Sequence, residues 1–291
     1  VIKDHIVHNK TVIEQYLTKL FDQSLITPKL LEVMRYGTLN GGKRLRPFLI
    51  HCWGQVFKVD THQLLPLMAA VELIQAYSLI HDDLPILDDS HLRRGKPTAH
   101  IAFDESSALL AGSALYTMGL EQITQSPFND SVRLKLLAEL MHVSGGEGLM
   151  GGQMLDVTYV TQQTTLTIGD IEHMQNLKTG KLISWACTAP ALVAGASAQQ
   201  IDMIKHFSYK LGLLYQITDD LLDLTGQEDV MGKPICQDLE HNKLTFVALL
   251  GVKGAQEKVK ILYNETLNIL KNFENISLLE QTLKFIAMRT S

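Results

Sequence analysis

Apolar side chains recur at steps of three and four residues along most of this chain, and that period restricts the fold more than any other feature. Between residues 62 and 84, Leu64, Leu67, Met68, Val71 and Ile74 form one such stripe, the mark of an amphipathic helix. The same spacing predicts helices over residues 106–123, 131–143, 168–189, 198–223, 254–272 and 277–288. Strand signals are scarce: alternating β-branched runs are few, and Asn40-Gly41 is the one Asn-Gly or Asp-Gly hairpin signal. There is no internal repeat and no Pro- or Ser-rich linker in the 291 residues. The expected fold is all-α: one large single-domain helical bundle spanning residues 1–291.

Charge and cysteine usage narrow the function classes. A formal net charge of −5 argues against nucleic-acid binding, which needs a basic excess. Cys52, Cys187 and Cys236 form no CxxC pair, which suits a reducing compartment without a zinc knuckle. No apolar run reaches the roughly 18 residues of a membrane span. Residues 1–19 mix His, Lys, Asp and Glu with apolar residues, unlike a secretory signal. The expectation is a cytoplasmic protein with no membrane span. Gly145-Gly146, Gly148 and Gly151-Gly152 fall where helix would otherwise continue. Glycine there costs about 1 kcal/mol relative to alanine, so tight helix packing is expected at 145–152.

Two acidic clusters carry the strongest chemical signal. One reads His81-Asp82-Asp83-Leu84-Pro85-Ile86-Leu87-Asp88-Asp89, the other Gln216-Ile217-Thr218-Asp219-Asp220-Leu221-Leu222-Asp223. Each follows a long apolar-periodic segment, which puts it near a helix C-terminus, where the helix dipole already disfavours anions. Something positive must offset the crowding, and a hard divalent cation bound through carboxylates and substrate phosphates does so. Asp219 and Asp223, four apart, lie about 40° from each other around a helix, and Gln216 joins that stripe. Asp82 and Asp88, six apart, would diverge by about 120° on an ideal helix. Pro85 biases Leu84 away from helix, so the segment should bend and return Asp88 toward Asp82.

Cations alternate with these carboxylates. Gly41-Gly42-Lys43-Arg44-Leu45-Arg46-Pro47 precedes a predicted helix start, a place where backbone N–H groups favour phosphate. Arg93-Arg94-Gly95 follows the first cluster, and Lys178-Thr179-Gly180-Lys181, Lys233 and Lys243 surround the second. The economical reading is a phosphate–Mg²⁺–carboxylate sandwich beside a second, metal-free phosphate site of arginine and lysine.

In order and spacing, GGKRLRP at 41–47, SLIHDDLPILDD at 78–89, LRRGKPTAH at 92–100, KTGKL at 178–182, YQITDDLLD at 215–223 and GKP at 232–234 resemble the short-chain trans-isoprenyl diphosphate synthases. Within that family the bacterial farnesyl diphosphate synthases are most similar. The resemblance implies a homodimer of helical subunits, each with a deep central cavity, and three Mg²⁺ ions per site, for which Mn²⁺ can substitute. It implies that Asp82, Asp83 and Asp88 hold metal at the first cluster and Asp219 and Asp223 at the second. Arg93, Lys178 and Lys233 are then ligands of the allylic diphosphate, with Lys243 a further cation. Lys43, Arg46 and Arg94, with Gly42 and Gln75, would take isopentenyl diphosphate. The Thr179 carbonyl, Gln216 and Tyr215 would steady an allylic cation. Departures from the family pattern are Gln75 for the usual His, Tyr215 for Phe, Ser90 for a third Asp, and a tail reduced to Arg289 before Thr290-Ser291. Tyr77, five residues before Asp82, resembles the residue that limits product to fifteen carbons. A geranylgeranyl synthase would differ mainly there, whereas a terpene cyclase lacks the second cluster and a non-catalytic partner subunit loses aspartates.

Overall fold

Each predicted helix is present, and four longer ones stand where the period gave no warning. The computed structural model describes residues 2–162, 166–225 and 245–288. In chain order its helices are α1 (Ile2–Asp22), α2 (Pro28–Leu39), α3 (Leu45–Val56), α4 (Thr61–Asp82), α5 (Ala99–Ala102), α6 (Glu105–Thr124), α7 (Asp130–Ser144), α8 (Leu149–Gln162), α9 (Ile168–Gln175), α10 (Lys181–Val193), α11 (Ala198–Thr225), α12 (Phe246–Leu270) and α13 (Ser277–Ala287). A π-helical turn, Asn176–Gly180, joins α9 to α10, and β1 (Leu92–Arg93) pairs antiparallel with β2 (Lys96–Pro97). The helices that the period does not announce, of which the sequence predicts only the start of α3, have readable causes. The buried stripe of α1 is one residue wide, Asn9, Ile13, Leu17 and Phe21. α3 is apolar nearly all round, and α8 begins with a diglycine.

Local chemistry fixes the starts. Asp60 caps α4 by accepting the His62 N–H at 2.7 Å, and Asp104 caps α6 by accepting the Ser107 N–H at 2.8 Å. Thr167 and Asp170 form a reciprocal capping box on α9. Pro28 opens α2, where its missing N–H would have had no partner.

Apart from the first two residues, the described chain divides into two compact units: residues 3–51 with 60–137, and residues 52–59 with 138–288. In the first, α6 lies along α4. Gly112 and Gly119 make that approach possible: a Cβ at 112 would fall 2.3 Å from His81 Nε2, and one at 119 3.1 Å from the Ala70 carbonyl. Against the expectation that no apolar run is long enough for a membrane span, helix α4 is long and apolar enough to cross a membrane (mean hydropathy 1.4). Its single charge before the last turn, Glu72, does not interrupt the apolar stretch, 72% of which is buried, as in a core helix.

In the second unit the 28-residue α11 packs against α10 and α12. Trp53 anchors an aromatic cluster, edge-on to Phe207 at 5.3 Å and Phe273 at 5.1 Å. Cys52 and Cys187 are buried free thiols whose pKa values burial pushes up; Cys236 lies outside the described residues. Of the glycines at 145–152, Gly148, Gly151 and Gly152 serve close packing, whereas a Cβ at Gly146 would meet nothing within 4 Å. A Cβ at Gly152 would sit 2.2 Å from the Lys178 backbone nitrogen, and one at Gly151 2.0 Å from the Gly146 carbonyl.

Candidate active site

The first acidic cluster grows out of the end of α4. Asp82 is its last residue, and Asp83 caps it with its N–H on the Leu79 carbonyl at 3.1 Å. Beyond Pro85 the chain turns back: Asp88 N–H bonds to the Asp82 carbonyl at 2.9 Å and Ser90 N–H to the Asp83 carbonyl at 3.2 Å. The bend that Pro85 predicted therefore joins Asp82 to Asp88 through the backbone. Both are half-buried, whereas Asp83 is buried. The Asp83 carboxylate accepts from Arg93 Nη2 at 2.5 Å and Nε at 3.1 Å. Burial raises the Asp83 pKa by more than Arg93 offsets, and Asp88 adds to it. On Arg93 burial acts downward, but Asp83, Asp82 and Asp88 prevail and keep the guanidinium firmly protonated.

The hairpin that delivers Arg93 and Arg94 turns at Arg94-Gly95, both with positive φ, 57° and 74°, the two-residue geometry that suits strand twist. Tyr36 of α2 donates its hydroxyl to the Pro97 carbonyl at 2.6 Å and pins the hairpin. Arg94 in turn donates to the Gly41 carbonyl and to Asn40 Oδ1. Gly42, at φ 108°, needs to lack a side chain, because a Cβ there would lie 2.6 Å from the Arg94 Cζ. The structure thus brings Arg94 to the loop of Gly42, Lys43 and Arg46. Lys43 is exposed and Arg46 half-buried, but Arg44 between them is buried. Gln75 is half-buried on α4, seven residues before Asp82.

In the second unit α11 carries Tyr215, Gln216 and Asp219, all half-buried, and Asp223, buried. Asp220 is buried, and its carboxylate accepts the Phe246 N–H at 2.9 Å and Gln216 Nε2 at 2.9 Å, tying the start of α12 to α11. Lys178 and Thr179 ride on the π-turn, closed by the Lys181 N–H on the Asn176 carbonyl. Lys178 Nζ bonds Asp156 of α8 at 2.7 Å. The predicted helix over 168–189 is interrupted here, and such π-turns recur at functional sites. Lys181 lines a separate cavity of about 190 Å³ with Lys205, Ser184 and Thr188. Lys233 and Lys243 lie outside the described residues, as does Arg289.

Matched against known protein families, residues 27–286 fit the model described as polyprenyl synthetase. The chain belongs to the polyprenyl synthetase family. The farnesyl diphosphate synthase of Geobacillus stearothermophilus is 39% identical over 261 residues, 89% of this chain and 87% of that protein. A geranyltransferase of Legionella pneumophila superposes with a TM-score of 0.88 at 29% identity, covering 98% of this chain and 96% of that one. The geranyltransferase of Helicobacter pylori, solved with magnesium and isoprenyl diphosphate, superposes with a TM-score of 0.82 at 28% identity, covering 97% and 94%. The all-α expectation accordingly holds, with the isoprenoid synthase fold.

For a polyprenyl synthetase, the donor chemistry here fits magnesium. The candidate ligands are carboxylate oxygens only, and among the described residues no three His, Cys, Asp or Glu side chains converge into a closed ligand set. Magnesium binds through one or two carboxylates with substrate phosphates completing the sphere, which is the donor type these aspartates offer. Sequence reasoning passed over several residues around these sites: Asp156 under Lys178, Asp220 at the α11–α12 joint, Glu72 beneath Arg44, and Tyr116. Tyr116 of α6 meets the Tyr77 ring at 5.2 Å, and His81 meets it at 4.8 Å. Of these only Asp220 stands in a run that the sequence singles out; Asp156, Glu72 and Tyr116 stand in none, so only the long-range packing makes them visible.

Proposed function

We propose that this chain is a magnesium-dependent farnesyl diphosphate synthase that joins isopentenyl diphosphate first to dimethylallyl and then to geranyl diphosphate, giving (2E,6E)-farnesyl diphosphate. The observation that carries the reading is the Asp82–Asp88 turn, closed by a 2.9 Å backbone bond with Arg93 against its neighbour Asp83. The similarity to bacterial farnesyl diphosphate synthases supports the product.

Bound magnesium supplies Lewis-acid stabilisation of the departing diphosphate. Asp82, Asp83 and Asp88 in the first unit, and Asp219 and Asp223 in the second, are the residues that would hold such ions, three in all, with the Asp83 carboxylate also orienting Arg93. Arg93, Lys178 and Lys233 grip the allylic diphosphate, and Lys243 adds charge. The allylic C–O bond breaks, and its electron pair leaves with the diphosphate. The Thr179 carbonyl, Gln216 and Tyr215 steady the allylic cation by their dipoles and π-face. Lys43, Arg46 and Arg94, with Gln75 and the Gly42 backbone, hold isopentenyl diphosphate while its double bond forms the new C–C bond. The released diphosphate takes the proton that then leaves. Water exclusion protects the cation. The full proposal is a cytoplasmic homodimer whose single catalytic domain spans residues 1–291, in which Mn²⁺ can replace Mg²⁺.

Product analysis tests it. Purified protein given dimethylallyl and isopentenyl diphosphates with Mg²⁺ should release a fifteen-carbon alcohol after phosphatase treatment. A twenty-carbon major product would make it a geranylgeranyl synthase, and no condensation at all would overturn the reading.

A further inference from the structure

Three cations stand together at Lys43, Arg44 and Arg46, yet the fold treats the middle one differently. The Arg44 side chain is 1% exposed. Its Nη1 bonds Glu72 Oε1 of α4 at 2.5 Å, its Nη2 the Thr38 carbonyl at 2.8 Å, and its Nε the Glu14 carboxylate of α1 at 3.1 Å. One planar guanidinium thus ties the loop to α1, to the end of α2 and to α4, all within the first unit. The Glu72 side chain is itself only 5% exposed, so the loop is held by an ion pair out of water. A lysine could not serve three partners at fixed angles.

The backbone carries the same message. Arg44 has φ 51°, the left-handed region that a long side chain enters only when its surroundings over-determine it. Across the loop, Arg94 holds the Gly41 carbonyl. The loop therefore has two fastenings, Arg94 before Lys43 and the Arg44 guanidinium after it. Glu72 and Gln75 are three apart on α4 and share a face, so the Arg44–Glu72 bond registers Lys43 and Arg46 against Gln75.

We propose that Arg44 and Glu72 are a positioning pair for isopentenyl diphosphate: they touch no substrate and fix where Lys43 and Arg46 present their charge. The inference rests on the assignment of Lys43 and Arg46 to that diphosphate. Removing Arg44 alone would leave Glu72 buried and unpaired and could unfold the chain, whereas replacing both members by apolar residues is often tolerated. The test therefore uses the double variant Arg44→Met/Glu72→Met, together with Arg44→Lys, Glu72→Gln and, as a control, Lys43→Ala. Circular dichroism and steady-state kinetics with each substrate varied in turn are measured on the full chain.

The double variant should fold, raise the KM for isopentenyl diphosphate about tenfold and leave the KM for geranyl diphosphate within about threefold, as expected when one prepositioned, charge-assisted contact is lost. Arg44→Lys should fall between it and the parent. A merely structural pair would move both KM values together or depress kcat alone, and either result overturns the proposal. If the double variant does not fold, Glu72→Gln decides by the same split. An unchanged isopentenyl KM in Lys43→Ala sinks the site assignment and the proposal with it. A rise in Lys43→Ala without one in the pair variants sinks the positioning role alone.

Discussion

Tyr77 is 8% exposed and stacked edge-on between Tyr116 and His81, so its ring is held in place at one end of α4. Burial first, then Tyr116 and Asp82, push its hydroxyl up to about 12. Between the ordinary value of about 10 and about 12 the native state keeps a proton that the unfolded chain releases, so stability falls as pH rises through that window. Urea midpoints measured across it should decline in the parent, and less in Tyr77→Phe. Replacing Tyr77 by Ala should open the floor and shift product from fifteen carbons to twenty or more, while the first condensation continues. If Tyr77→Ala released only farnesyl diphosphate at full turnover, the stop would have to lie elsewhere. Asp82→Ala and Asp219→Ala should each cut turnover by orders of magnitude with helical content intact, a loss that near-parental activity in either variant would refute. At this scale the sequence disclosed the Asp82–Asp88 turn through Pro85, because a proline acts on its immediate neighbour. It could not disclose which cation of residues 43–46 is buried. That depends on Glu14 and Glu72, about thirty residues away on either side.

Among the elements, the break between α9 and α10 matters most for the chemistry. The apolar period runs unbroken through 168–189, because a π-turn widens the backbone without changing which side chains are apolar. What fixes the turn is a close approach: Gly152 of α8 leaves room for the Lys178 backbone, and Gly212 of α11 would place a Cβ 3.1 Å from the Gly180 Cα. Gly152→Ala should therefore cost about 1–3 kcal/mol of overpacking and displace Lys178 and Thr179. Thermal melts should record the first effect, and a fall in kcat the second. An alanine variant with parental melting and turnover would show that the turn has slack. Helix starts are set more locally than this turn, since Asp60, Asp104 and Thr167 cap through their own side chains.

Across the whole molecule, the family match runs from residue 27 to 286 and so includes residues of both compact units. Helical class was legible because the period is local. The division was not, because residues 52–59 leave the unit of their sequence neighbours and cluster with residues beyond 137. Trp53 shows why: its partners Phe207 and Phe273 lie more than 150 residues away. Division of labour between the substrates should appear at this scale. Lys43→Ala should raise the KM for isopentenyl diphosphate, and Lys233→Ala that for the allylic substrate. Kinetics in which both variants weaken the same substrate would contradict the assignment.

The glycine seam of α6 has a bearing on how such a chain could be retuned. With Gly112 against His81 and Gly119 against the Ala70 carbonyl, α6 can neither approach α4 nor rotate past it without collision. The distance between the helices bearing Tyr116 and Tyr77 is thus set at one glycine by the His81 ring and at the other by Ile74 and the Ala70 carbonyl. On the proposed role of Tyr77, trimming the rings themselves is what should make room for a longer isoprenoid. Product length on this scaffold should then behave as a stepped dial, one notch per side chain exchanged, rather than as a sliding scale.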